Sequence, residues 1–169
     1  GTFIINERAR DVDANIAAHG QPTNIYAPFD PNGATDVDKY IFANVSARPW
    51  HSKVSNVRSV EIGSNIQPTS TAYWFYGMTF CTSIDLTGLD TSAVTNMSHM
   101  FRGCSTLTSL DVSNFDTSAV ESMGRMFNNC SALTSLDVSN FDTSAVESMI
   151  DMFYGCKALT TIYASVNFV

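Results

Sequence analysis

The sequence predicts an α/β solenoid with parallel strands on one face, short helices on the other and an N-terminal capping segment. Three observations carry this. Residues 107–123 read LTSLDVSNFDTSAVESM, and residues 133–149 repeat them unchanged 26 positions later. A period in that range marks one supersecondary unit stacked on copies of itself. Cys104, Cys130 and Cys156 also stand 26 apart, each just after a Met-Phe pair. Within each unit, apolar residues at strand spacing give way to apolar residues at helical spacing.

Leu107, Leu110 and Val112 form an L-x-x-L-x-V strand, with Ser109, Asp111 and Ser113 on the opposite face. Phe115 closes the turn inward. Val120, Met123, Met126, Phe127 and Cys130 then fall on one side of a helix. Two start signals compete for that helix. Ser118-Ala-Val-Glu121 and Ser144-Ala-Val-Glu147 have the form of a capping box, whereas Asp116-Thr-Ser makes a capped turn with the helix starting near Ser122. Gly103, Asn129 and Gly155 share the register before Cys and suit a left-handed termination.

The pattern extends outward with decay. Ile84-Asp-Leu86 and Val60-Glu-Ile62 read as earlier strands, Trp74-Phe75 takes the Met-Phe register, and Leu159, Ile162 and Ala164 give a last strand. The solenoid is therefore assigned to residues 56–169. Residues 1–55 form the capping segment, with a helix over 6–19, a turn at Phe29-Asp-Pro-Asn-Gly33 and a strand over 40–45. Their expected role is to cover the first rung, with Trp50 and His51 as the first suspects for any separate binding function.

At 169 residues and 44% hydrophobic content, one globular domain is expected. The net charge is −7, and residues 74–169 hold nine acids against three bases. That balance disfavours nucleic acid or an anionic membrane as partner. No run of 18 apolar residues occurs, so no transmembrane segment is expected, and the start Gly1-Thr2-Phe3-Ile4-Ile5 lacks the features of a signal peptide. The four cysteines read as buried free thiols, because repeat-equivalent positions on stacked helices lie too far apart to bridge. No Cys-x-x-Cys or Cys-His pairing suggests zinc, and no cofactor is expected.

The compound motif LTSLDVSNFDTSAVESM…MFxxC resembles the 26-residue repeat of BspA-like leucine-rich-repeat surface proteins of bacteria. The resemblance covers residues 56–165. It implies a leucine-rich-repeat solenoid, an extracellular or cell-surface location, and a non-enzymatic binding or adhesion module that recognises a protein or cell-surface ligand. It brings no catalytic residues. Leu89 in place of the motif Phe, Trp74 in place of Met and Tyr163 in place of the strand Asp depart from the pattern.

The candidate ligand-binding residues lie on the outward strand face: Glu61, Asp85, Asp111, Asp137 and Tyr163. Three readings compete for the acidic column: solvated surface, a face that docks a basic partner segment, and a calcium ladder. Calcium takes six to eight oxygens, and this context offers one carboxylate per rung. Asp90, Asp116 and Asp142 are expected to cap their own turns. His19, His51 and His99 are scattered and no serine sits in a nucleophile elbow, so an enzyme is not expected. A structural spacer that displays other domains is the alternative function. The last strand edge invites a homodimer through the C-terminal end.

Overall fold

The computed structural model describes residues 2–5, 24–27, 54–55, 57–62 and 66–169, the first two stretches as backbone strands. Among the described residues six strands follow in order: β1 (Thr2–Ile5), β2 (Asn24–Ala27), β3 (Ser59–Ile62), β4 (Ser83–Asp85), β5 (Ser135–Val138) and β6 (Thr161–Ala164). One parallel sheet has the order β2-β1-β3-β4, and a second pairs β5 with β6 in parallel. The parallel sheet thus continues into the segment assigned to capping, where the sequence reading places no strand at 2–5 or 24–27. The expected helix over 6–19, turn at 29–33, strand over 40–45, and Trp50 and His51 lie outside the described residues.

Alternation sets the strand faces. Val60 and Ile62 of β3 and Leu136 and Val138 of β5 are buried, while Glu61 and Asp137 between them are exposed. The registers Val60↔Ile84 and Leu136↔Ile162 keep repeat-equivalent residues side by side. The expected strand over 107–112 is not formed. Leu107 and Val112 are buried at its ends, but the Val112 carbonyl accepts from the Asn140 amide at 3.0 Å, and Thr134 N–H reaches Thr108 O only at 3.4 Å. Side chains rather than a backbone ladder tie this stretch to its neighbours.

The expected short helices are also corrected: no α-helix occurs among the described residues. The segments 71–77, 97–103, 123–129 and 149–155 are ribbons of consecutive turns. Alternate amides bond within the ribbon to the residue three before, as in Met126 N–H to Met123 O at 3.1 Å and Asn128 N–H to Arg125 O at 3.2 Å. The amides between them point out of the ribbon to the next one. Met123, Arg125, Phe127 and Asn129 donate to the carbonyls of Ser148, Ile150, Met152 and Tyr154 at 2.7–3.0 Å. An α-helix would use every amide internally, four residues back. The ribbon differs because every fourth residue is left-handed: Tyr73, His99, Arg125 and Asp151 at one register, and Gly77, Gly103, Asn129 and Gly155 at the other. Successive i, i+3 turns bury Met97, Met100, Phe101 and Cys104 just as a helix would.

In the N-F-D-T-S turn, Asn and Thr hydrogen-bond between rungs, Phe stacks between them, and Asp and Ser bond each other within the turn. The Asn140 amide donates to Val112 O and Phe115 O, and Asn114 does the same to Leu86 O and Leu89 O. Phe115 and Phe141 stack at 6.3 Å. Asp116 Oδ1 accepts from Ser118 N–H at 3.0 Å, which selects the capped turn over the capping box. Thr117 is buried, and its hydroxyl donates to Asp142 O at 2.9 Å while accepting from Asp142 N–H at 2.8 Å. Thr91 makes the same pair with Asp116, and Thr143 bonds Asn167 O and Val169 N–H.

The core lies between the strand face and the ribbons. Phe75, Phe101, Phe127 and Phe153 stack in a column with centroids 5.3, 5.5 and 5.7 Å apart, and Trp74, Met100 and Met126 are fully buried beside it. Burial of each such side chain contributes about 1.5–3 kcal/mol. The four cysteines are free thiols, and three of them cap this column by a route the sequence did not suggest. Cys104, Cys130 and Cys156 donate to Phe75, Phe101 and Phe127 carbonyls at 3.2, 3.2 and 3.0 Å.

Candidate functional site

The outward strand face carries the candidate residues because strand alternation sends their buried neighbours inward. Glu61 and Asp85 are in register across β3 and β4, and Asp137 and Tyr163 across β5 and β6. Between these pairs the face dips over the stretch that forms no ladder. The open groove there, of about 460 Å³, is lined by Thr82, Ser83, Ile84, Ser109, Leu110, Asp111, Ser135, Asp137 and Tyr163. Asp111, Asp137 and Tyr163 are therefore brought to one groove, whereas Glu61 and Asp85 are not among its walls. Tyr163 is 58% exposed, so its ring stands as an open wall.

The aspartates of this column also hold turns, a role the sequence reading gave only to Asp90, Asp116 and Asp142. Oδ1 of Asp85, Asp111 and Asp137 accepts the N–H of Thr87, Ser113 and Ser139 at 3.0, 2.9 and 2.9 Å. The signal was present as Asp followed two residues later by Thr or Ser, the same spacing as in the turn column. Hydroxyl and then amide donors from Thr87, Ser113 and Ser139 hold the three carboxyls below the usual carboxylate range. The neighbouring Asp111 charge opposes this at Asp137. All three are ionised at neutral pH, and one oxygen of each stays outside its turn bond.

A second cluster lies on the ribbons, at the register where the repeat varies. His99 stacks on Tyr73 at 4.6 Å with an interplanar angle of 8°, and Arg102 Nη1 lies 3.4 Å from its Nδ1. Arg102 also lies over the Tyr76 ring at 5.3 Å. Burial, then the charges of Arg102 and Arg125, push the His99 pKa down. Arg125 pairs with Asp151 at 3.0 Å. The sequence marked this register as variable but gave no sign that its residues meet.

Among the described residues, no group of three or more His, Cys, Asp or Glu side chains is placed to hold a metal ion. No helix among them is long and apolar enough to cross a membrane.

The family described as "Mycoplasma protein of unknown function, DUF285" matches residues 69–168, more than half of the 169-residue chain. The chain belongs to this family. Its match spans the four turn ribbons and the strand-face groove, and fits a BspA-like repeat protein. Comparison with curated proteins and with solved structures returned no match.

Proposed function

We propose that this chain is a non-enzymatic binding or adhesion module of leucine-rich-repeat solenoid type, displayed outside the cell, whose strand face receives a basic segment of a protein or cell-surface ligand. The observation that carries this reading is the groove that gathers Asp111, Asp137 and Tyr163 beside apolar Ile84 and Leu110. Two ionised carboxylates supply attraction for lysine or arginine, the serines supply hydrogen bonds, and the tyrosine ring offers a face for a cation or an aliphatic stem. Glu61 and Asp85 extend the same sign of charge along the sheet and steer such a partner toward the groove.

The test is binding of immobilised chain to lysine- and arginine-rich peptides and to extracellular-matrix proteins, with and without calcium. Asp111→Asn with Asp137→Asn keeps the Oδ1 acceptor of each turn and removes only the charge. The pair should weaken capture about fivefold to tenfold at low salt and flatten the salt dependence. Unchanged binding to an established ligand would remove the strand face from the account. Loss of binding when calcium is chelated would favour the calcium ladder instead.

A spacer that displays other domains is the competing reading. It is favoured by the turn bonds at Asp85, Asp111 and Asp137, which give these residues a folding role without any ligand. A spacer should capture nothing in the same assay.

A further inference from the structure

The ladder between ribbons has a direction. Four amides of each of the first three ribbons donate to the carbonyl just before the next ribbon and to three within it: 71, 73, 75 and 77 to 96, 98, 100 and 102; 97, 99, 101 and 103 to 122, 124, 126 and 128; and 123, 125, 127 and 129 to 148, 150, 152 and 154. All of these bonds lie between 2.7 and 3.1 Å, and no amide within 97–103, 123–129 or 149–155 runs the other way; the amides that do, those of Thr95, Glu121, Ser122 and Glu147, stand just before the ribbons. The ribbon carbonyls not used between ribbons are spent inside, as Met149 O and Asp151 O accept from Met152 and Tyr154 N–H. Within its own bounds each ribbon therefore shows acceptors to the one before and donors alone to the one after, while the carbonyls of Thr69, Thr95 and Glu121 just ahead of the ribbons accept from the following rung.

At the last ribbon, the N–H groups of Met149, Asp151, Phe153 and Gly155 occupy the donor register, and none has an acceptor among the described residues. The side chains there match. The phenylalanine column ends at a half-buried Phe153, and Ile150 and Tyr154 are 60% and 69% exposed. A depression of about 280 Å³ lies between Met149, Asp151, Met152, Phe153, Tyr154 and Phe168.

We propose that the Met149–Gly155 edge is a docking surface for one further ribbon of this repeat pattern, stacked in parallel. The partner must bring a row of carbonyl acceptors in register with the four amides and an aromatic ring at the phenylalanine column. That is what ribbons 97–103, 123–129 and 149–155 each bring to the ribbon before, so the proposed contact continues an interface already present three times. A two-fold dimer through the same edge would set donors against donors and leave both rows unsatisfied. The directional ladder thus favours parallel growth of the stack over a two-fold pairing of these ribbon edges.

The experiment compares amide hydrogen exchange in the 169-residue chain with a chain extended after Val169 by a copy of residues 117–142. That copy enters in register, because Val169 N–H bonds the Thr143 hydroxyl at 2.9 Å as Asp142 N–H bonds Thr117. In the original chain the amides of Met149, Asp151, Phe153 and Gly155 should exchange at least about tenfold faster than those of Met123, Arg125, Phe127 and Asn129. In the extended chain they should slow by at least about tenfold, to the range of the inner ribbons. An extension that leaves them fast, whether it folds elsewhere or stays unfolded, overturns the proposal. So does protection of the same four amides in the original chain as its concentration is raised with formation of a dimer, which would mean that the edge satisfies itself.

Discussion

Replacing Thr117 by valine keeps the shape of a buried side chain and deletes one hydroxyl that serves two backbone groups of the next rung. Thr117 is 1% exposed, donates to Asp142 O at 2.9 Å and accepts from Asp142 N–H at 2.8 Å. Valine leaves both groups without this partner, each at a cost of about 1–3 kcal/mol, partly offset by the added methyl surface, so a net loss of about 2–4 kcal/mol is expected. For a chain of this length that lowers Tm by about 5–15 °C. Thr117→Ser retains the hydroxyl and loses one methyl group, and should cost only about 1 kcal/mol. Thermal unfolding of the two variants, followed by circular dichroism and calorimetry, compares them directly. A serine variant as unstable as the valine variant, or a valine variant of unchanged Tm, would refute the threonine ladder as a tie between rungs.

The glycines of one register should separate. Gly103→Ala meets no atom closer than Gly77 Cα at 3.6 Å, so it carries only the left-handed backbone cost of about 1–2 kcal/mol. Gly155→Ala adds a collision with the Asn129 side chain and should unfold at lower denaturant. Cys130 is pushed up to about 12 by burial, so it should resist thiol reagents at neutral pH, and the half-buried Cys156 should label first; early labelling of Cys130 would contradict the packing. Asp85, Asp90, Asp111, Asp116, Asp137 and Asp142 all have carboxyl pKa values below the ordinary 3.8. Their turn bonds therefore contribute stability above that value, and it is lost as pH falls through the lower folded values. Tm should hold between pH 5 and 7, on the order of a few degrees, and drop progressively below about pH 4; a drop already complete at pH 5 would contradict this.

The exact 17-residue duplication at a spacing of 26 made the stacking register legible, because residues that recur in register are those that pair across rungs. The left-handed positions at Gly103, Asn129 and Gly155 were legible for the same reason. The turn ribbons were not. Met97, Met100, Phe101 and Cys104 are spaced for one face of a helix and equally for one face of consecutive turns, and the register that distinguishes the two holds Tyr73, His99, Arg125 and Asp151, none of which announces a left-handed backbone. Tyr163 and the acidic column were legible as exposed by alternation. Their convergence was not, since the groove depends on the 107–112 stretch failing to form a ladder despite a sequence identical to that of β5. Identical residues with different neighbours carry no difference that a sequence can display.

The most direct measurement is through-hydrogen-bond scalar coupling by NMR at the Phe127 amide in isotopically labelled protein. The account predicts coupling to the Met152 carbonyl, 25 residues ahead in the next ribbon, with matching couplings from Phe101 to Met126 and from Arg125 to Ile150. Coupling of Phe127 to the Met123 carbonyl, four residues back, would mean a helix in place of the ribbon and would contradict the account.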